Sequence, residues 1–144
     1  MDVFEEAVLS YATAPRTRFA SPQFEIPWSG LDGGSCPDFV VLDFADITVY
    51  VIEVSAAARV GHLMEKLSSR QTRWLAPLRR HFSEAIPALN AWDYHVTAFV
   101  RDELVSASRT KAAEWPDVSI ISLDKVVLPW HWAWDGQRAI NPLR

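Results

Sequence analysis

Gly33-Gly34-Ser35-Cys36-Pro37-Asp38-Phe39-Val40-Val41-Leu42, followed by Val51-Ile52-Glu53-Val54-Ser55, is the stretch on which the fold turns. Two runs rich in Val, Ile, Phe and Tyr, Asp38 to Phe44 and Ile47 to Ser55, flank a short polar break at Ala45-Asp46. Runs of that composition around a short break read as a β-hairpin. A turn centred between Ala45 and Asp46 fixes the partners: Phe44 with Ile47, Leu42 with Val49, Val40 with Val51, and Asp38 with Glu53. Two acids therefore meet at the open end of an otherwise apolar face. Side chains directly opposite have Cβ atoms roughly 4.5–5.5 Å apart, and like charges there destabilise a sheet. Both strands are apolar on both faces, so they read as central and covered. Carboxylates placed this way share a proton or share a cation. Magnesium, held by a few carboxylates plus waters, suits the arrangement. The plainer reading is that each acid faces water at a strand end.

Pro37-Asp38, fourteen intervening residues, then Glu53-Val54-Ser55 resembles the signature of the PD-(D/E)XK nuclease superfamily. The resemblance covers roughly residues 1 to 101. It implies a restriction-endonuclease-like αβββαβ core and a Mg2+ (or Mn2+) site at Asp38 and Glu53. It also implies hydrolysis of phosphodiester bonds, with DNA as the expected partner. The chain departs from the signature at one position. The family's lysine falls at Ser55, whose hydroxyl cannot act as a cation. Some members carry the lysine on the following helix, and Lys66 is the lysine near enough in sequence to do so. An arginine such as Arg59 is the other candidate. If neither serves, the resemblance implies an inactive nuclease fold used for binding or assembly. In the superfamily a first-helix glutamate sometimes completes the metal site. Glu6 is the candidate here, against the simpler role of complementing the helix dipole.

Charge is distributed unevenly. The net charge is −4, which argues against a protein that coats DNA without selectivity. Between Arg59 and Arg80 there are six bases (Arg59, Lys66, Arg70, Arg73, Arg79, Arg80) and one acid, Glu65, whereas the rest of the chain holds eight bases and seventeen acids. A local positive stripe can still draw in a phosphate backbone. Arg59, Arg70 and Arg73 are the candidate nucleic-acid contacts, and the alternative is a solvated helix face. The 144 residues are 49% hydrophobic and include seven tryptophans, enough for one domain with a real core. The single cysteine forms no intrachain disulfide and fits a reducing, cytoplasmic setting. No run reaches the ~20 apolar residues of a membrane span, so no membrane association is expected.

The remaining chain reads as α/β, with a mixed sheet of four to five strands flanked by helices. Asp2 is the expected N-cap of a helix over Val3 to Thr13. Pro15 to Pro22 reads as a loop and Gln23 to Trp28 as a short strand. A helix is expected through about Phe82, with Leu63, Leu67, Trp74, Leu78 and Phe82 buried and Pro77 kinking it near Leu75. Lys66, Arg70 and Arg73 then share another face. Gln71 falls on the apolar side, where it would need partners. Tyr94 to Arg101 reads as an inner strand reached by a helical crossover, Asp102 to Trp115 as a helix, and Val118 to Leu123 as a last strand. A tryptophan-rich tail (about 129–144) carries Trp130, Trp132 and Trp134. It suits packing or a homodimer contact more than base stacking. The histidines show no zinc spacing. Cys36 lacks a recognisable histidine partner and reads as a small buried residue beside a functional acid.

Overall fold

The computed structural model describes residues 1–27, 35–128 and 141–144. Its first helix, α1 (Val3–Thr13), starts where a capping box dictates. Asp2 accepts from the N–H groups of Phe4 and Glu5, and the Glu5 carboxylate accepts the Asp2 N–H in return. Two orphan donors of the first turn are satisfied this way. The strands are β1 (Arg18–Pro22), β2 (Phe39–Asp43), β3 (Thr48–Ser55), β4 (Asp93–Val100) and β5 (Val118–Ser122). Among the described residues they form one mixed sheet in the order β1-β2-β3-β4-β5. β1 pairs antiparallel with β2 and β2 antiparallel with β3, and β4 and β5 continue parallel to β3. The α/β class with a mixed five-stranded sheet flanked by helices is the one expected.

The β2–β3 register is the expected one: Val40 pairs with Val51 and Leu42 with Val49. The turn is held by Asp43, whose Oδ1 accepts from the N–H groups of Ala45 and Asp46 at 3.0 and 3.1 Å. An aspartate bonding its own downstream backbone is a turn-former. Phe44 and Ile47 belong to this turn rather than to the ladder, and Ile47 sits at φ 53°. The strand expected over Gln23 to Trp28 is displaced. β1 occupies Arg18–Pro22, Gln23 ends it with a φ of 49°, and Ile26 makes only an isolated bridge to Ser35. Its position follows from a buried ion pair, Arg18 Nε to Asp43 Oδ2 at 2.7 Å, with Arg18 Nη1 also donating to the Asn141 carbonyl at 2.6 Å.

After β3 come α2 (Gly61–Ser68), one π-helical turn (Gln71–Leu75) and α3 (Ala76–Ala85). The break before Pro77 is physical. A proline ring clashes with the carbonyl four residues back, and Pro77 is tolerated because it sits in the first turn of α3. A short 3-10 segment, Pro87–Ala91, leads into β4. The last helices are α4 (Asp102–Lys111) and α5 (Asp124–Val127). One face of the sheet packs Val40, Val49, Val51, Val96 and Ala98 against Leu63, Leu67, Trp74 and Leu78. The other packs Val41, Tyr50, Ile52 and Phe99 against Val8, Tyr11 and Leu143. Full burial of each large aliphatic side chain contributes roughly 1.5–3 kcal/mol, so the two helical layers fix the hairpin from both sides. No helix among the described residues is long and apolar enough to cross a membrane. The Gly33-Gly34 turn, Trp28 and the three tryptophans of the tail lie outside the described residues.

Candidate active site

Asp38 lies one residue before β2, and one further step of the register sets it against Glu53. Its position is fixed from several directions. Asp38 Oδ2 accepts the Val54 N–H at 2.7 Å, which ties it across to β3, and its carbonyl accepts the Gln23 N–H at 2.8 Å. Upstream, the buried Trp74 of the π-helical turn donates its indole N–H to Ser35 Oγ at 2.9 Å. The chain entering Asp38 is thus anchored to the helix that follows β3.

Glu53 belongs to the face of β3 that α2 covers and is 4% exposed. Lys66, from the second turn of α2, donates to Glu53 Oε2 at 2.8 Å, while its own side chain reaches a partly exposed rim. Asp38, Glu53 and Lys66, separated by up to 28 positions in the chain (66 − 38), therefore meet at one end of the hairpin. Their electrostatics reflect crowding. Burial, and then the neighbouring Glu53 carboxylate, push the Asp38 carboxyl up to about 6, against the Val54 N–H and Lys66. Burial also raises Glu53, opposed by the hydrogen bond and charge of Lys66, by the Asp38 backbone N–H and by Arg73. Two acids that resist joint ionisation, with one ammonium between protein and solvent, make a site poised to accept more positive charge.

The arginines separate into different roles. Arg73 is half-buried, with Nε donating to Ser69 Oγ at 3.2 Å, and its charge reaches Glu53. Arg59 is exposed on the loop between β3 and α2. Arg70, expected beside Arg73, is instead buried in a forked pair with Asp117, Nε to Oδ2 at 2.8 Å and Nη2 to Oδ1 at 2.6 Å. Its guanidinium carbon lies 5.0 Å from the centroid of the Trp115 ring, and Nη1 donates to the Leu67 carbonyl. Arg70 clamps α2 to the segment before β5. The π-helical turn accounts for part of this divergence, because it re-phases the helix beyond Arg70. Gln71 is exposed rather than on the apolar side, and it donates to the same Asp117 at 3.0 Å. Cys36, expected to be buried, is exposed.

On α1 the acid whose charge bears on Asp38 is Glu5. Glu6, the candidate set against a helix-dipole role, lines a shallow groove with Val126 and Val127. The capping box Asp2-x-x-Glu5 holds the Glu5 carboxylate back over the first turn, on the Asp2 N–H.

Among the described residues no group of three or more His, Cys, Asp or Glu converges on one point. The donor set is two carboxylates. Zinc, which takes three or four N, S or O protein ligands, does not fit that set. Magnesium and manganese fit it, since hard cations of this kind bind through one or two carboxylates and retain waters. Asp38 Oδ2 is committed to Val54, leaving its second oxygen for a cation, whereas the Glu53 carboxylate accepts from Lys66 at Oε2 and from the Asp38 backbone N–H, so a cation would share it with these donors. No known protein family matches the chain, and no curated protein or solved structure matches it.

Proposed function

We propose that this chain is a metal-dependent nuclease that hydrolyses phosphodiester bonds in DNA. The observation that supports the reading most strongly is the meeting of Asp38, Glu53 and Lys66 at one hairpin end. Asp38 and Glu53 would hold Mg2+ or Mn2+ through the second Asp38 oxygen and the Glu53 carboxylate. Bound there, the cation supplies a Lewis acid for the phosphoryl oxygen and acidifies a coordinated water. Val54 keeps Asp38 oriented through the 2.7 Å hydrogen bond. Lys66 takes over the role that Ser55 cannot fill. Its ammonium stands beside Glu53 at the partly exposed rim, where it can steady charge developing on the phosphate. Arg73, whose charge reaches Glu53, and the exposed Arg59 would hold the phosphate backbone, in a molecule whose basic residues concentrate in this segment.

A second reading has its own observation. The Lys66–Glu53 pair is closed at 2.8 Å, and a closed pair next to a serine in place of the family's lysine also suits an inactive nuclease fold used for binding or assembly. Cleavage of DNA and RNA with Mg2+ or Mn2+, run beside Asp38→Ala and a metal-binding titration, separates the two. A nuclease cuts only with the metal and loses both binding and cutting in Asp38→Ala. Wild-type protein that cuts neither nucleic acid with either metal refutes the enzymatic reading.

A further inference from the structure

A groove of about 420 Å3 runs along the outer side of β5 and shares no residue with the Asp38–Glu53 site. Its volume lies in the range of small-molecule sites, roughly 300–1,000 Å3. Among the described residues Arg109, Lys125 and Arg144 line it, and no Asp or Glu does. In a chain of net charge −4, a ligand-sized hollow with side-chain charge of one sign selects anions. The three cations are not equivalent. Arg144 is engaged with Asp46 at 3.0 Å. Arg109 is held at the sheet edge, where Nε and Nη2 donate to the Ile120 carbonyl at 3.2 and 2.9 Å, and its Nη1 donors remain for a ligand. Lys125 is exposed and has no ion pair among the described residues.

The rest of the lining is not what a bare anion needs. The Trp115 indole forms one wall, fixed by the Arg70 guanidinium 5.0 Å from its ring centroid, which is itself locked to Asp117. Val118 and Ala112 continue the apolar side, and the Ser119 hydroxyl is already bonded to His95 Nε2 at 2.8 Å. An aromatic wall held by Arg70, next to a guanidinium tied to the Ile120 carbonyl and an exposed ammonium, is a combination that takes a flat heterocycle joined to a phosphate. We propose that this groove binds a nucleoside phosphate, its base against Trp115 and its phosphate between Arg109 and Lys125. The inference does not rest on the nuclease reading.

The test is calorimetric titration of the full chain with AMP, adenosine and inorganic phosphate, in EDTA so that no divalent cation links a phosphate to Asp38 and Glu53. AMP is expected to bind at least about tenfold more tightly than either fragment, because both halves of the groove are used. Lys125→Glu, a change at an exposed position, is expected to weaken AMP by about tenfold or more. Arg109→Gln, which retains a donor for the Ile120 carbonyl, is expected to act in the same direction. Asp38→Asn is expected to bind AMP like wild type, which keeps this outcome distinct from failure of the catalytic site. The proposal is overturned if folded wild-type protein takes up no AMP at millimolar concentration. It is equally overturned if phosphate binds as well as AMP, or if neither Lys125→Glu nor Arg109→Gln weakens AMP.

Discussion

Replacing Asp38 by Asn is expected to make the protein more stable at neutral and alkaline pH. The Asp38 carboxyl titrates at about 6 against an ordinary 3.8. At 1.36 kcal/mol per pH unit, full ionisation in the folded state costs roughly 3 kcal/mol. Asp38 is only half-buried, and solvent screening brings the usable figure to about 1–2 kcal/mol. The sign follows from the direction of the shift. A carboxyl whose folded pKa is raised favours the folded state when protonated, and that contribution is lost as pH rises through about 6. Asparagine removes the charge, can still accept the Val54 N–H, and brings an amide donor next to Glu53. Urea unfolding at about pH 8 should therefore give Asp38→Asn a gain of about 1–2 kcal/mol, which at this chain length raises Tm by roughly 2–8 °C. By about pH 4 most of that gain should be gone, because the wild-type carboxyl is then protonated in the folded protein. A variant less stable than wild type at pH 8, or a gain independent of pH, would show that the two acids do not strain one another, and the case for a cation between them would collapse.

Lys66→Met leaves the buried Glu53 without its partner and is expected to cost about 1–3 kcal/mol in denaturant unfolding; adding Glu53→Gln should recover most of that loss, and a double variant as unstable as the single one refutes the pairing. Arg70→Ala is expected to cost about 2–4 kcal/mol by freeing Asp117 and uncovering Trp115, with metal-dependent cleavage per folded molecule unchanged; a stable variant that has lost DNA binding would return Arg70 to the substrate. Ile47 is exposed and holds φ 53°, so Ile47→Gly should raise stability by about 1 kcal/mol, read as a shift in the urea midpoint without a change in slope.

The hairpin was legible because its turn is symmetric. Asp43 bonds Ala45 and Asp46 N–H, and a turn centred between Ala45 and Asp46 leaves one register, which sets Val40 against Val51 and Leu42 against Val49. That register carries Asp38 to Glu53, and helical periodicity brings Lys66 within reach. Long-range polar pairing was not legible. Arg18 looks like a loop residue between prolines until Asp43 and Asn141 surround it, and Arg70 shares a helical stripe with Lys66 until Asp117, 47 positions away, claims it. Period and propensity describe neighbours along the chain, whereas buried ion pairs choose partners by the finished topology. Glu5 and Glu6 occupy the same first turn, and which of them bears on Asp38 depends on how α1 packs, not on local pattern.

The π-helical turn at Gln71–Leu75 holds one residue more than a regular turn of helix. An ordinary helix advances about 100° per residue, so deleting one position of α2 or α3 would swing everything beyond it by that angle, and Leu78 would leave the sheet if Leu67 stayed docked, or the reverse. Deleting one position of the π-helical turn would instead restore regular winding with both flanking faces still on the sheet. Its local cost is expected at Trp74, whose indole bond to Ser35 moors the chain leading into Asp38, whereas substitutions at the exposed Thr72 should pass unnoticed.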